Sequence, residues 1–374
     1  MRHFDIAIVG AGILGLAHAL AAARRGQRVV VLERDAQANG ASIRNFGFVT
    51  VTGQEAGDCW RLARRSRDIW AEVVASAQIP VLHSGLVVAA RRPESEAVIE
   101  AFLTTDMGAE CQRLPLAQAR QQIPALSQRN TAALYSPHEL RVESREAIPR
   151  LAAWLAEAHG VEFRWNTAVH AVESPSVTTS AGTIEAGAVI LCPGDSYTGP
   201  FADNLNPPGL TRCKLHMLRV RPAAEVQFGA ALMSDLGLAR YRGYADLPEA
   251  KPLKALLDEE QAAQRRNGVH LIAVQSADGS LIVGDSHHYS QTPDPFQPEW
   301  VDDLMLEEFD AVVDLPGRRV VERWLGTYAS ADNWLYRDAP AETVRRVIVT
   351  AGCGASTAFG IAEETLEELS GALT

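Results

Sequence analysis

The sequence predicts an α/β protein in which a parallel-sheet domain is interleaved with a smaller α+β domain built on a mostly antiparallel sheet. Three observations support this class. A glycine-rich βαβ unit opens the chain, apolar strand-like runs return near residues 188 and 344, and alternating strand-like segments lie between them. A chain of 374 residues is long enough for about two domains.

The first βαβ unit is the clearest local pattern. Phe4–Val9 is a β-rich run that leads directly into the segment Gly10–Gly15. A helix rich in small residues is predicted over Leu16–Arg25, and a second strand over Val29–Leu32 ends at Glu33. Strand, glycine turn, helix and strand together form one complete unit.

Later elements follow from the same periodicities. A helix is predicted over Cys59–Ala77, a strand over Val81–Ala90, and residues 93–124 as helices broken at Pro115 and Pro124. The remaining elements are predicted as helices Glu146–Ala158 and Ala358–Leu369, and as strands Val161–Trp165, Thr183–Ala186, Ala188–Leu191, Lys214–Val220, His270–Gln275, Leu281–Val283 and Val344–Thr350.

The order of these segments predicts two discontinuous domains. Residues 1–80, 141–212 and 328–374 form the first domain, and residues 81–140 and 213–327 form the second. The first domain carries the glycine motif, and the second carries most of the antiparallel strands.

Composition excludes several classes of function. A net charge of −11 argues against a nucleic-acid partner, and no apolar run reaches the roughly 18 to 20 residues of a membrane helix. Five cysteines without paired spacing indicate reduced thiols and a cytoplasmic location. His287 and His288 follow Gly284-Asp285, but no further ligands lie nearby in sequence, so no metal site is expected. The oligomeric state stays open.

The glycine motif has a specific physical meaning. Gly10 permits a tight turn, Gly12 lets the backbone approach a diphosphate, and Gly15 lets the helix pack closely on the sheet. Glu33 is placed to bind ribose hydroxyls, which disfavours NADP. NAD and FAD both fit this motif, but the small, polar loop Asn39–Gly47 suits a flavin ring and favours FAD.

With these residues the sequence resembles the D-amino-acid-oxidase-like superfamily of FAD oxidoreductases, which includes glycine oxidase and sarcosine oxidase. The likeness lies in Gly10–Gly15 with Glu33, Ala41–Asn45, Val189–Asp195 and Gly352–Thr357. It implies a Rossmann-like FAD-binding domain and a substrate-binding domain.

The motif and the resemblance together imply the residues that hold FAD. They are Gly10, Ala11, Gly12, Ile13, Leu14, Gly15, Glu33, Arg34, Ser42, Arg44, Asn45, Val169, Cys192, Gly194, Gly354, Ala355, Ser356 and Thr357. The resemblance also implies that the backbone N–H groups of the last four stabilise negative charge on the flavin. Because Gly326-Thr327-Tyr328 has no cysteine where sarcosine-oxidase-like members attach FAD, the cofactor is expected to be non-covalent.

Three short segments look like a bacterial branch of the superfamily that is associated with phosphonate catabolism: His138–Arg145, Cys213–Met217 and Gly284–Tyr289. The resemblance implies oxidation of 2-aminoethylphosphonate or an N-methyl derivative. Hydride transfer to flavin N5, hydrolysis of the imine to an aldehyde, and reoxidation by O2 to H2O2 would follow. The alternatives are a dehydrogenase of an amino acid or hydroxy acid that passes electrons to a quinone or carrier protein, and a non-catalytic or modification flavoprotein.

Candidate substrate anchors replace an arginine that amino-acid-oxidising relatives carry near Val274–Ser276. Arg240 and Arg242 are the candidates for binding an anion, since guanidinium groups suit oxyanions. A solvated strand edge is the alternative role for these two arginines.

The candidate catalytic residues are His216, His287, Tyr328 and Lys214. His216 and Tyr328 could equally be structural core residues. Relatives keep a lysine for oxygen activation where this chain has Ile282, so Lys214 or His287 is expected to supply that role.

Overall fold

The computed structural model describes residues 3–372, so the ends of the first predicted domain, residues 1–2 and 373–374, lie outside the described residues. In chain order the strands are β1 (His3–Val9), β2 (Val29–Leu32), β3 (Phe48–Val49), β4 (Val81–Ala90), β5 (Gln112–Pro115), β6 (Ala132–Val142), β7 (Glu162–Arg164), β8 (Val169–Glu173), β9 (Ser176–Thr179), β10 (Gly182–Leu191), β11 (Thr211–Arg221), β12 (Ala231–Met233), β13 (Ile272–Gln275), β14 (Leu281–Gly284), β15 (His288–Ser290), β16 (Arg319–Ser330), β17 (Leu335–Ala341) and β18 (Val344–Val349).

The helices are α1 (Ile13–Arg24), α2 (Asp58–Ser76), α3 (Pro93–Leu103), α4 (Leu116–Gln122), α5 (Ser144–His159), α6 (Arg242–Ala245), α7 (Ala250–Glu260), α8 (Ala262–Arg266), α9 (Glu299–Val312) and α10 (Gly354–Ala372). No helix within residues 3–372 combines the length and apolar character needed to cross a bilayer.

The first sheet is mainly parallel. Its strand order is β17-β18-β10-β1-β2-β7, and β8 and β9 extend from β10 as an antiparallel meander. Helices α1, α2, α5 and α10 cover one face through a continuous apolar core, whereas residues of the meander such as Val172 and Val177 cover the other face. Because β1, β2, β10 and β18 run parallel, their carboxyl ends meet at one edge.

The second sheet is almost entirely antiparallel. Its order is β15-β11-β14-β13-β12-β4-β6-β3, with β16 paired to β11 and β5 paired to β6. Among the described pairings of this sheet, only that of β12 with β4 is parallel. Helices α3, α6, α7 and α9 pack on this sheet and share its apolar core. The predicted fold class, a Rossmann-like domain with an antiparallel second sheet, is therefore confirmed.

Most elements predicted from a clear sequence pattern are present in the structure. Val81–Ala90 is β4 with the predicted bounds, and α1 begins at Ile13, three residues before the predicted start. Residues 93–124 were expected to be helical, but the strand Gln112–Pro115 separates the two helices. The strands that were not predicted also include β3, β6, β8, β9, β12, β15, β16 and β17. The division into two domains stays a prediction.

Close packing between α1 and the first turn depends on glycine. A Cβ atom at Gly15 would lie 1.9 Å from the carbonyl oxygen of Gly10, and one at Gly10 would lie 2.5 Å from the carbonyl oxygen of Cys192. Gly10 also has a φ of +106°, which L side chains rarely adopt. These contacts bring the start of α1 to the carboxyl edge of the sheet.

We predict that Gly15→Ala destabilises the protein, although the same change in a helix interior normally stabilises by about 0.5–1 kcal/mol. The backbone clash should reverse the sign and lower the free energy of unfolding by about 1–3 kcal/mol in urea titrations. Gly40→Ala is the control, because no atom lies within 4 Å of its added Cβ. Equal stability of Gly15→Ala and wild type would show that α1 can move away without cost.

Candidate functional site

A cavity of about 890 Å³ opens at the carboxyl edge of the first sheet and extends to the second sheet. Its volume lies in the upper part of the range for small-molecule sites, about 300–1,000 Å³. One end is formed by the glycine turn and the end of β2, and the other end by side chains of the second sheet. The two ends have different chemistry.

The outer end is formed mainly by backbone, with the Ser42 hydroxyl beside the start of α1. Gly12 precedes the first residue of α1, and a Cβ atom there would lie 3.1 Å from Ser42 Oγ. The backbone N–H of Ile13 donates to the same oxygen over 2.9 Å. The amino end of α1, with its favourable field for an anion, therefore faces the cavity at a point where a ligand can approach the backbone.

Glu33 links β2 to this turn. Its Oε2 accepts a hydrogen bond from the backbone N–H of Ala11 over 2.8 Å, and its Oε1 accepts one from that of Asp35 over 3.1 Å. A carboxylate has about four acceptor positions, so Glu33 keeps capacity for ligand hydroxyls where it lines the cavity. A diphosphate on the glycine turn and a ribose at Glu33 fit this end.

The middle of the cavity is bordered by the loop after β2 and by the start of α10. Asn45 donates to the carbonyl oxygen of Ala41 over 2.7 Å and accepts from the Ser144 hydroxyl over 2.8 Å, which fixes the loop. Gly354 and Ala355, at the amino end of α10, lie in the cavity wall. The long helix α10 thus presents its amino end to the cavity, as the resemblance implies.

The inner end is polar and comes from the second sheet. Arg240 Nη2 donates to the Tyr289 hydroxyl over 3.0 Å, and Tyr328 and His287 line the same region. His287 is buried and its Nδ1 lies 2.8 Å from the carbonyl oxygen of Gly268. Charged and hydrogen-bonding groups therefore meet at the end of the cavity opposite to the glycine turn.

Two residues that the sequence analysis did not select join this end. Asp285 and His270 are both buried, line the cavity, and place Oδ1 and Nδ1 3.3 Å apart. His287 Nε2 lies 3.8 Å from Asp285 Oδ2. A signal was available, because His270 shortly precedes β13, Asp285 directly follows β14, and the two strands pair antiparallel. A hairpin brings such positions together.

Burial controls the charges at the inner end. It raises the pKa of Asp285 to about 7, although the positive charge of Arg240 opposes the increase. Burial, reinforced by Arg240, holds the pKa values of His270 and His287 well below the usual range, so both imidazoles are neutral near pH 7. For Arg240, burial alone would lower the pKa, but Tyr289, Tyr328 and Asp285 outweigh it and the pKa is raised.

Lys214 and His216, both predicted to be catalytic, do not line the cavity. Lys214 Nζ is paired with Asp294 over 2.8 Å, and His216 Nδ1 lies 3.1 Å from Asp302 Oδ1 beneath α9. Leu215, between them in β11, does line the cavity. Successive side chains of a strand point to opposite faces, which places Lys214 and His216 on the face away from the cavity.

The two predicted anion anchors have different surroundings. Arg242 lines the rim, its side chain is 57% exposed, and it pairs with Glu55 over 3.0 Å and Asp246 over 3.1 Å. Arg240 lies deeper, and no carboxylate oxygen of the described residues lies within 4.0 Å of its guanidinium nitrogens. Arg240 is therefore the better placed of the two to bind a ligand anion.

Most of the residues expected to hold FAD line the cavity. They are Gly10, Gly12, Ile13, Leu14, Gly15, Glu33, Arg34, Ser42, Arg44, Asn45, Val169, Cys192, Gly194, Gly354 and Ala355. Ala11, Ser356 and Thr357 do not line it. Ser356 Oγ accepts a hydrogen bond from the backbone N–H of Thr50, and the Thr357 hydroxyl donates one to the carbonyl oxygen of Cys353. Both side chains therefore make hydrogen bonds within the protein.

Possible metal ligands do converge on His287, contrary to the expectation from the sequence. Ligand atoms of His270, Asp285 and His287 lie within 4.8 Å of one another. The positive charge of Arg240 acts on all three groups and disfavours a cation there. The expectation of no metal stays a prediction.

Comparison with known proteins identifies what the chain resembles. A family model described as FAD dependent oxidoreductase matches residues 5–368. The bifunctional protein ThiO/ThiG of Trichormus variabilis is 28% identical over 236 residues, which are 58% of this chain and 34% of that protein. The chain thus matches about a third of the length of this curated relative.

Two solved structures show the same fold. Glycine oxidase from Geobacillus kaustophilus superposes with a TM-score of 0.77 at 18% identity, covering 99% of this chain and 95% of that one. L-proline dehydrogenase from P. horikoshii superposes with a TM-score of 0.79 at 17% identity, covering 99% and 94%. At these identities the likeness establishes the fold.

We predict that Glu33→Gln weakens FAD binding roughly tenfold, or by about 1.4 kcal/mol, because it removes a charged acceptor at the expected ribose position. Titration of flavin-free protein with FAD, followed by quenching of flavin fluorescence, measures the change. Glu72→Gln is the matched control, since Glu72 lies on α2 and pairs with Arg24 away from the cavity. Wild-type affinity in Glu33→Gln would contradict the assignment.

Proposed function

Because the chain belongs to the family of FAD-dependent oxidoreductases, we propose that it oxidises a small amine that carries an anionic group. The candidates that we favour are 2-aminoethylphosphonate and its N-methyl derivative. The amine becomes an imine, which water hydrolyses to an aldehyde and ammonia, or methylamine from the N-methyl derivative. FAD supplies the acceptor for the two electrons of the amine's carbon–hydrogen bond.

The glycine turn, Glu33 and the start of α10 are the residues that we assign to FAD. Three cysteines, Cys59, Cys192 and Cys353, line the cavity. Burial raises the pKa of Cys192, and hydrogen bonding to Cys353 together with burial raises that of Cys59, so neither thiol is activated. This supports the proposal that FAD is held without a covalent bond. The five free cysteines also support a cytoplasmic location.

The position of Arg240 is the single observation that carries the substrate proposal. Its guanidinium is directed into the cavity wall beside Tyr289, without a carboxylate of the described residues within 4.0 Å. A guanidinium has five N–H donors, so most of its hydrogen-bonding capacity is available to a ligand. A phosphonate or carboxylate can accept two parallel hydrogen bonds from such a group.

The rest of the inner wall positions the ligand. Phe46, Phe48, Leu215 and Ile272 line the cavity and give it apolar surface that excludes water. The hydroxyls of Tyr289 and Tyr328 lie near Arg240 and are suited to donate to the same anion. An amine bound with its anionic group at Arg240 is therefore held in a defined orientation.

The two candidate functions differ in the molecule that accepts electrons from the reduced flavin. We propose an oxidase that uses O2 and releases H2O2. A dehydrogenase that passes electrons to a quinone or carrier protein is the second candidate, and a specific observation supports it. None of the lysines Lys214, Lys251 and Lys254 lines the cavity, whereas oxidase relatives are expected to use a lysine with O2.

We predict that aminophosphonates reduce the bound flavin under anaerobic conditions and that propylamine, which lacks the anion, does so at least roughly 100-fold more slowly, in line with loss of a charge-assisted interaction worth about 3 kcal/mol. Loss of flavin absorbance measures the reduction. Reduction by glycine or sarcosine but by no aminophosphonate would overturn the preferred substrate. Peroxide formation in air then separates the oxidase from the dehydrogenase.

We also predict that Arg240→Met raises the KM for the anionic amine roughly 10- to 150-fold, the equivalent of about 1.5–3 kcal/mol, because a charged hydrogen-bond pair is lost. Arg242→Met should have a smaller effect, since that side chain is exposed and already paired with two carboxylates. Steady-state kinetics with anionic and neutral amines measure both variants. Similar effects of the two substitutions would contradict the role of Arg240.

A further inference from the structure

Three groups that accept hydrogen bonds converge at the inner end of the cavity. Asp285, His270 and His287, called here the acceptor cluster, are 4%, 3% and 7% exposed, and all three line the cavity. Asp285 lies between the imidazoles, with Oδ1 3.3 Å from His270 Nδ1 and Oδ2 3.8 Å from His287 Nε2. Their ligand atoms lie within 4.8 Å of one another.

When Asp285 is ionised, the cluster is short of hydrogen-bond donors to its carboxylate. His287 Nδ1 is 2.8 Å from the carbonyl oxygen of Gly268, and a carbonyl can only accept, so this nitrogen carries the proton. In the neutral ring Nε2 is then an acceptor, and it faces the Asp285 carboxylate. His270 Nδ1 and Asp285 Oδ1 are buried and have no hydrogen-bond partner among residues 3–372. In the ionised state the buried Oδ1 of Asp285 is an acceptor that requires a donor.

The geometry points to the ammonium group of the substrate as that donor, with Asp285 as the catalytic base that takes its proton. This inference rests on the proposed function and extends it to a named residue. The step is R–NH3⁺ + Asp285–COO⁻ → R–NH2 + Asp285–COOH. One N–H bond breaks and one O–H bond forms. The neutral amine keeps its lone pair, which oxidation requires, and its remaining N–H groups can donate to His270 and His287.

The charges that face Asp285 support transfer of a proton over binding of a metal ion. The titratable groups around Asp285 come from several elements and are Arg240, Tyr241, Cys213, His270 and His287. Arg240 is the one permanent cation among them, and it repels a second fixed cation. An ammonium that gives up its proton leaves no positive charge behind. Because transfer removes both charges of the pair, burial favours it.

The direction of the pH dependence follows from the burial of Asp285. Burial raises the pKa of this carboxyl to about 7, so the group is ionised above pH 7 and can accept a proton there. Below pH 7 it is protonated and cannot. The rate of flavin reduction in the wild type should therefore rise through about pH 7. A free amine resembling a lysine side chain has a pKa of about 10.

The test is the pH profile of Asp285→Asn in the flavin-loaded protein. An amide cannot take the proton, so only amine that is already neutral in solution should react. We expect kcat/KM for reduction of the flavin by 2-aminoethylphosphonate to fall about tenfold per pH unit below pH 10, so that at pH 8 it is roughly 100-fold lower than at pH 10. The wild type should change less than about threefold between these values.

Controls separate this role from a structural one. Asp68→Asn, on the exposed side of α2, should keep the wild-type profile. Bound-flavin absorbance and the thermal midpoint of Asp285→Asn establish that the variant is folded, and Asp285→Glu should restore a rise near neutral pH. A uniform loss of rate in Asp285→Asn with the wild-type profile would overturn the inference.

The remaining outcomes are also decisive. Loss of wild-type reduction after EDTA and its recovery with zinc would overturn the inference, because the acceptor cluster would then hold a metal. If no amine reduces the wild-type flavin, the proposed function fails and this inference fails with it. If an amine reduces the wild type and the profile of Asp285→Asn is unshifted, the base assignment alone fails.

Discussion

The close contact between the first helix and the first turn is the constraint on which the rest of the site depends. Gly15 lies so near the carbonyl oxygen of Gly10 that no side chain fits between them. This contact directs the amino end of α1 to the edge where β1, β2, β10 and β18 all end. Glu33 then bonds the Ala11 N–H, which joins β2 to the same turn. A site for an anion and a sugar results from backbone packing more than from any basic side chain.

The second sheet supplies the opposite wall, and its register decides which groups reach the cavity. Pairing of β13 with β14 brings His270 and Asp285 together at one end of a hairpin. Pairing of β11 with β16 places Tyr328 opposite Cys213, so that the tyrosine reaches the cavity. The end formed by the second sheet is therefore built from residues distant in sequence, whereas the glycine turn, Glu33 and Ser42 at the other end lie in one short stretch of the chain.

This difference explains what the sequence could reveal. The unit from β1 to β2 was predictable because its glycines and apolar residues act within a few positions of one another. The face of a strand that meets the cavity was not predictable, because one step in register reverses it. Lys214 and His216 therefore face away from the cavity, where they pair with Asp294 and Asp302. Strand β16 escaped prediction because it pairs on one side only, with β11, and carries charged residues such as Glu322. Strand β17 was not predicted because it contains Pro340, a residue that sheets accept mainly in edge strands, and β17 is an edge strand.

The electrostatics of the inner cavity favour a ligand that carries both signs of charge. A partly buried guanidinium is stabilised by an anion, and a buried carboxylate is costly without a donor. Arg240 and the acceptor cluster lie at the same end of the cavity, so a simple anion would satisfy one and leave the other unpaired. A simple amine would do the reverse. The proposed substrate, which carries an anionic group and an amine, would satisfy both before any chemistry begins.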